Sequence, residues 1–120
     1  MHERNIVRGL IESALSDEKV SSLLDEGWKI VRFVVINGSL SPVSSPDLER
    51  VFREEGYDVD VIEEEAVVNC ECGYNGPPKV VERGHDFVVW TCPSCDRLYP
   101  RAVSGDRIVL AKVVVERPKV

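Results

Sequence analysis

Apolar residues recur every three or four positions at the start of the chain, with Arg8, Glu12 and Ser13 between them. This period predicts an amphipathic helix with one face toward a core. The helix either continues or restarts after Ser16 and Asp17, and Gly27 should end it. Its apolar stripe consists of Ile6, Val7, Leu10, Ile11, Ala14 and Leu15.

Three later segments have the pattern of strands. Residues 29–36 are short and rich in β-branched side chains, which predicts a buried strand. Residues 57–64 alternate acidic and apolar side chains, as a half-exposed strand does. Residues 107–116 are apolar on both faces, so we expect this strand to return to the same sheet and to lie near its centre.

A short second helix is predicted between the first two strands. Ser45 can cap its amino end, Pro46 suits its first position, and Gly56 can adopt the left-handed conformation that closes its last turn. Its inward side should consist of Leu48, Val51 and Phe52.

Length and charge narrow the class of protein. The 120 residues allow one compact domain, or a small domain with an inserted module. Acidic residues outnumber basic ones, 21 to 15, and the basic residues are dispersed, so we expect no nucleic-acid binding. No apolar run is long enough to span a membrane, and Glu3, Arg4 and Arg8 interrupt any signal sequence. A soluble, cytoplasmic protein is therefore expected.

Four cysteines occur in a short segment, as C-x-C, nineteen residues, and then C-x-x-C. In a chain without a secretory signal, this pairing indicates a metal site rather than disulfides. Two cysteine pairs on facing turns supply the tetrahedral thiolate set that zinc favours. With all four thiolates used, no position stays open for a substrate, so the ion should be structural. Iron in a rubredoxin-like site is the nearer competitor. The ligands are Cys70, Cys72, Cys92 and Cys95.

The predicted fold class is α+β, with two helices on one face of a small three-stranded mixed sheet and an inserted zinc ribbon. Residues 1–66 and 105–118 would form a discontinuous domain, and residues 67–104 the zinc-ribbon domain. Cys70 and Cys72 are separated by one residue where most ribbons have two, which tightens the first turn.

The chain begins Met-His-Glu, which is a potential chelating sequence. A histidine at position 2 should leave Met1 in place. The Met1 amine, the His2 amide and imidazole nitrogens and the Glu3 amide can form a square, the geometry that nickel(II) and copper(II) prefer. The Glu3 carboxylate either adds a ligand or favours the helix start electrostatically. The alternative is that His2 is solvated and binds no metal.

The order of motifs along the chain resembles that of the hydrogenase maturation nickel metallochaperone family (HypA/HybF type). These motifs are the initial MHE and its helix, VVINGSLSPV, the second helix, VIEEEAVVNCECGY, CPSC and the closing valine-rich strand. The resemblance implies nickel binding by Met1, His2 and Glu3, and structural zinc on the four cysteines. It also implies delivery of nickel to the large subunit of nickel-iron hydrogenase, with a nickel-binding maturation GTPase as partner. The chain departs from the family in its shortened first cysteine pair and at 38–40, where a family carboxylate is absent.

We expect a monomer or weak homodimer and no enzymatic activity, since neither a nucleophile with its base nor a phosphate-binding glycine loop is visible. His85 either reaches the nickel site or lies in an exposed turn. Two other functions stay open, a zinc-ribbon adaptor in transcription or RNA processing and an iron-tetrathiolate electron carrier.

Overall fold

The structure, a computed structural model, describes residues 2–84 and 87–119, and for His2 the backbone alone. Its helices are α1 (His2–Ser16), α2 (Glu18–Asp25) and α3 (Ser45–Glu54). Of the two possibilities for the first helix, the restart is confirmed. The Asp17 carboxylate accepts hydrogen bonds from the backbone N–H groups of Lys19 and Val20 at 3.0 and 3.2 Å, which caps α2. None of these described helices is both long and apolar enough to cross a bilayer.

Helices α1 and α3 bury most of the faces that their periodicity predicts, but Leu15 of the predicted α1 stripe is 39% exposed. The buried residues of α1 are Val7, Ile11 and Ala14. The buried residues of α3 are Leu48, Val51 and Phe52. The Phe52 ring lies 5.5 Å from the ring of Phe33 in the first strand. Gly27 and Gly56 follow α2 and α3 with φ of 94° and 92°, as predicted for residues that end helices.

The main sheet contains β1 (Lys29–Gly38), β2 (Asp58–Glu64) and β8 (Ile108–Glu116), in the order β2-β1-β8. The prediction that the last strand lies near the centre is wrong, because β1 is central and β8 forms an edge. Apolar residues on both faces of β8 do not place it inside the sheet, and Val109 is 47% exposed. Strand order depends on which long-range pairs form, and local pattern does not encode it.

Backbone hydrogen bonds give the direction of the strands. The N–H groups of Gly38 and Leu40 donate to the carbonyls of Arg107 and Gly105, each at 2.9 Å. From the first bond to the second, the residue number rises in the donor segment and falls in the acceptor segment, so β1 and β8 are antiparallel. Arg32 pairs with Asp60, and Ser39 N–H donates to the Glu64 carbonyl. From the first pair to the second, the residue numbers rise in both segments, so β1 and β2 are parallel. The sheet is therefore mixed, as predicted.

The cysteine segment consists of short antiparallel strands. They are β3 (Val67–Asn69), β4 (Asn75–Gly76), β5 (Lys79–Arg83), β6 (Val88–Thr91) and β7 (Arg101–Ser104). One sheet has the order β4-β3-β7, and β5 and β6 form a hairpin. The small core between them consists of Leu40, Ala66, Val68 and Val88, against which Tyr74, Trp90 and Ala102 pack.

Contacts along the chain define two compact units. The first comprises the chain up to Val35, Pro46–Val61 and the chain from Leu110 onward; the second comprises Ile36–Ser45 and Ile62–Val109. The cysteine-bearing unit therefore includes the loop after β1. Independent domains with boundaries at 67 and 104 stay a prediction.

A buried asparagine organises the loop after β1. The Asn37 side chain, in a residue 3% exposed, donates to the Val43 carbonyl at 3.0 Å and to the Ser45 hydroxyl at 3.1 Å. Its oxygen accepts a hydrogen bond from the Ser41 hydroxyl. Ser45 begins α3, and its hydroxyl donates to Glu63 at 2.9 Å. The motif VVINGSLSPV thus has a structural role, since one side chain closes the loop.

Replacing Asn37 with aspartate keeps the shape of the side chain but removes both donors. We expect Asn37→Asp to lower the free energy of unfolding by about 2 kcal/mol, because a buried carboxylate oxygen would then face the Val43 carbonyl oxygen with no hydrogen between them. Chemical denaturation measures the change, and Asn5→Asp at an exposed position of α1 is the control. Equal stability of the two variants would show that the loop does not depend on this side chain.

Candidate metal sites

The two cysteine pairs lie on turns that are closed in the same way. Cys70 and Cys72 connect β3 to β4, and the Cys70 N–H donates to the Tyr74 carbonyl at 2.9 Å. Cys92 follows β6, and its N–H donates to the Arg97 carbonyl at 2.9 Å. Short strands therefore deliver each pair as a tight loop, as the spacing predicts.

The structure brings all four predicted zinc ligands together. The Sγ atoms of Cys70 and Cys95 are 3.6 Å apart, as are those of Cys72 and Cys92. All four sulfur atoms lie within 4.8 Å of one another. A tetrahedron with zinc–sulfur bonds of about 2.3 Å has edges of about 3.8 Å, whereas a disulfide requires about 2.0 Å. The cluster therefore fits a tetrahedral metal ion, and the shortened first pair does not prevent the fit.

The electrostatics of the cluster also favour a cation. A backbone hydrogen bond from Tyr74 lowers the pKa of Cys72 to about 7, so its thiolate forms near neutral pH. At Cys95 the backbone N–H of Arg97 lowers the pKa, but burial and the neighbouring thiols outweigh it and raise the pKa to about 12. A second negative charge is unfavourable beside the first. A divalent ion at the centre would remove that repulsion.

Residues around the cluster reinforce the two turns in ways that the spacing did not predict. Arg97 on the second turn forms an ion pair with Glu71 on the first at 2.9 Å. Asp96 follows the second cysteine pair with φ of 62°, where Gly73 follows the first with φ of 100°. In the sequence, the only sign that Asp96 and Gly73 adopt the same backbone conformation is that each directly follows the second cysteine of its pair.

At the other predicted site, α1 begins at His2. Met1 and the His2 side chain lie outside the described residues, as does His85. Glu3 is in the first turn of α1 and is 3% exposed, and its carboxylate lies 3.8 Å from the Arg50 guanidinium. An acidic residue in the first turn is favoured by the helix dipole. Sequence reasoning missed Arg50, which is distant along the chain.

Comparison with known proteins gives a full-length relative. No family model matches the chain. A curated protein described as hydrogenase maturation factor HypA, from Methanocella arvoryzae, is 31% identical over 97% of this chain and 99% of its own length. The solution structure of the Ni metallochaperone HypA from Helicobacter pylori is 21% identical, covers 97% of both chains and has a TM-score of 0.49. By its full-length similarity to the Methanocella arvoryzae protein, this chain belongs to the hydrogenase maturation factor HypA family.

Proposed function

We propose that this chain is a nickel carrier for the maturation of nickel-iron hydrogenase. The observation that carries the proposal is the similarity to a hydrogenase maturation factor over nearly the whole of both chains. The two predicted metal sites have separate roles in it. Nickel is the cargo, bound at the amino terminus, and zinc is a resident structural ion.

The proposed nickel ligands are Met1, His2 and Glu3. Backbone amides in the first turn of a helix have no acceptor four residues earlier within that helix, and α1 begins at His2. Amide nitrogens at this position can therefore serve a square-planar ion without breaking the helical hydrogen-bond ladder. Such a nitrogen set favours nickel(II) or copper(II) over zinc.

The proposed zinc ligands are Cys70, Cys72, Cys92 and Cys95, whose sulfur atoms already have tetrahedral spacing. Bound zinc would cross-link the two turns. Four thiolates complete its coordination, so the site offers no open position for a substrate. We therefore infer that the protein carries metal and does not catalyse a reaction.

Two partners follow from this role, namely the large subunit of the hydrogenase and a nickel-binding maturation GTPase. In this proposal the protein meets both partners in the cytoplasm. It acts as a monomer or a weak homodimer. Residues 67–104 would form the zinc-ribbon domain, and residues 1–66 with 105–118 the nickel-binding domain.

Nickel titration by calorimetry tests the proposal directly. We expect the untagged protein to bind one Ni(II), and we expect both His2→Ala and a variant with one extra amino-terminal residue to lose that binding. His85→Ala removes the other histidine of the chain and tests separately whether that side chain contributes to nickel binding. If both amino-terminal variants bind nickel with unchanged affinity and stoichiometry, the proposed chelate is wrong.

A further inference from the structure

Charged side chains of alternating sign connect the start of α1 to the carboxyl end of α3. Each neighbour in the series is within ion-pair distance of the next. Three members come from the first two turns of α1, and three come from the end of α3 and the residue that follows it. We call this series the arginine ladder, in the order Glu3, Arg50, Glu54, Arg4, Glu55 and Arg8.

The first half of the ladder is centred on Glu54. Its carboxylate accepts from Arg4 at 2.5 Å and from Arg50 at 3.3 Å, so one acidic group joins the two helices. Arg50 in turn lies 3.8 Å from Glu3, whose side chain is 5% exposed. Glu3 is thus connected to α3 through Arg50 and through the bonds of the adjacent residue, Arg4.

The second half of the ladder is centred on Glu55. Arg4 donates to one of its oxygens at 2.8 Å, and Arg8 donates to the other at 2.9 Å. The Glu55 side chain is 19% exposed and that of Arg4 is 28% exposed, so these pairs are partly shielded from water. Arg4 therefore holds two carboxylates at once.

Hydrogen bonds within the ladder favour the ionised form of its two central carboxyl groups, Glu54 and Glu55. The hydrogen bond from Arg4 lowers the pKa of Glu54, and the hydrogen bond from Arg8 lowers the pKa of Glu55. Exposed ion pairs taken singly contribute little to stability, but a network with shared carboxylates restricts geometry. Its expected effect is on the orientation of the first turn of α1, which would otherwise fray.

We propose that Arg4 and Arg50 are positioning residues for the amino-terminal nickel chelate. The inference rests on the proposed function. A square-planar site needs its donors coplanar, and the proposed donors end at Glu3, directly before Arg4. Arg4 and Arg50 hold this turn against α3, so the Glu3 amide belongs to a backbone segment whose position is already fixed. Neither arginine contacts the metal.

The test compares Arg4→Gln and Arg50→Gln with Arg53→Gln. Arg53 is the matched control, because it lies on α3 and its ion pair is with Glu49 at 3.9 Å, outside the ladder. We expect the nickel dissociation constant to rise about tenfold in the two ladder variants, as for residues that orient metal ligands, and to stay unchanged in the control. Arg50→Lys, which keeps the charge, should recover part of the affinity. The ligand-field absorption of bound Ni(II) and the melting temperature of the zinc-loaded protein are measured in parallel.

A purely structural role would lower the melting temperature without changing the dissociation constant. If the wild type binds nickel, His2→Ala does not, and the ladder variants bind like Arg53→Gln, the positioning role is wrong and the proposed function stands. If the wild type itself fails to bind nickel, the proposed function is wrong and the positioning role falls with it.

Discussion

Removing zinc from the protein is expected to unfold the cysteine segment and to leave α1 and α3 folded. The strands around the cysteines are two to five residues long, and their core consists of four small or medium buried side chains. Strands this short are not stable without a cross-link or a larger core. Structural zinc contributes about 10 to 16 kcal/mol to the folding free energy of small zinc domains. The free energy lost with zinc is therefore larger than the stabilisation that this small core provides.

Hydrogen exchange measured by mass spectrometry after treatment with a chelator locates the change. Amide protection should disappear in 67–104 and persist in α1 and α3, and Cys92→Ser should give the same pattern. Ser94→Ala is the control, because Ser94 is exposed and lies between the two cysteines of the second pair. Persistent protection of the segment without metal would contradict the structural role of zinc.

The absorption spectrum and metal content of the protein before chelation distinguish zinc from iron. Ferric iron bound by four thiolates absorbs visible light, whereas zinc does not. We expect a colourless protein that contains one zinc per chain by elemental analysis. A coloured protein with iron in this site would instead favour the electron carrier.

Replacing Gly105 with alanine is expected to lower the free energy of unfolding by about 3 kcal/mol or more. Gly105 has φ of +78°, and a Cβ atom there would lie 2.4 Å from the Cα atom of Ala66 and 2.8 Å from its backbone nitrogen. The left-handed conformation costs about 1 to 2 kcal/mol for a residue with a side chain. Forcing a methyl group against backbone adds about 1 to 3 kcal/mol, because neither segment can move away cheaply.

Two other glycines, Gly56 and Gly38, separate these two causes, and Gly9 is a control without either. At Gly56, φ is +92° with no atom within 4 Å of an added Cβ, so Gly56→Ala reports the conformational cost alone. At Gly38 an added Cβ would lie 2.2 Å from the Gly105 carbonyl, so Gly38→Ala reports crowding. Gly9 in α1 has open space around it, and Gly9→Ala should stabilise the protein by about 1 kcal/mol.

Denaturant unfolding of the zinc-loaded variants measures these differences. The expected order of stability is Gly9→Ala above wild type, then Gly56→Ala, with Gly105→Ala lowest. If Gly105→Ala were no less stable than Gly56→Ala, the close approach to Ala66 would have no energetic consequence.

Several features of the fold could be predicted because they depend on residues close in sequence. The buried side of α3 follows from the helical period of Leu48, Val51 and Phe52. The turns that hold the cysteines follow from the spacing within each pair. The clustering of all four sulfur atoms was predicted for the same reason, since a metal ion that needs four thiolates brings the pairs together.

Other features depended on partners far away in the chain. The sequence pattern of residues 107–116 was that of a central strand, yet β8 pairs with one strand and forms an edge. The Glu71–Arg97 ion pair also joins residues that no local pattern relates.

The sequence by itself determined the type of each long element, the four-sulfur site and the family to which the chain belongs, because each is written in local spacing or in a full-length similarity. Only the tertiary structure decided the order of the main sheet, the close approach of Gly105 to Ala66, and the ladder that connects Arg4 to Glu54 and Glu55. These contacts join residues that lie far apart in the chain, and such pairs are selected by packing and charge in the folded chain rather than by neighbouring residues.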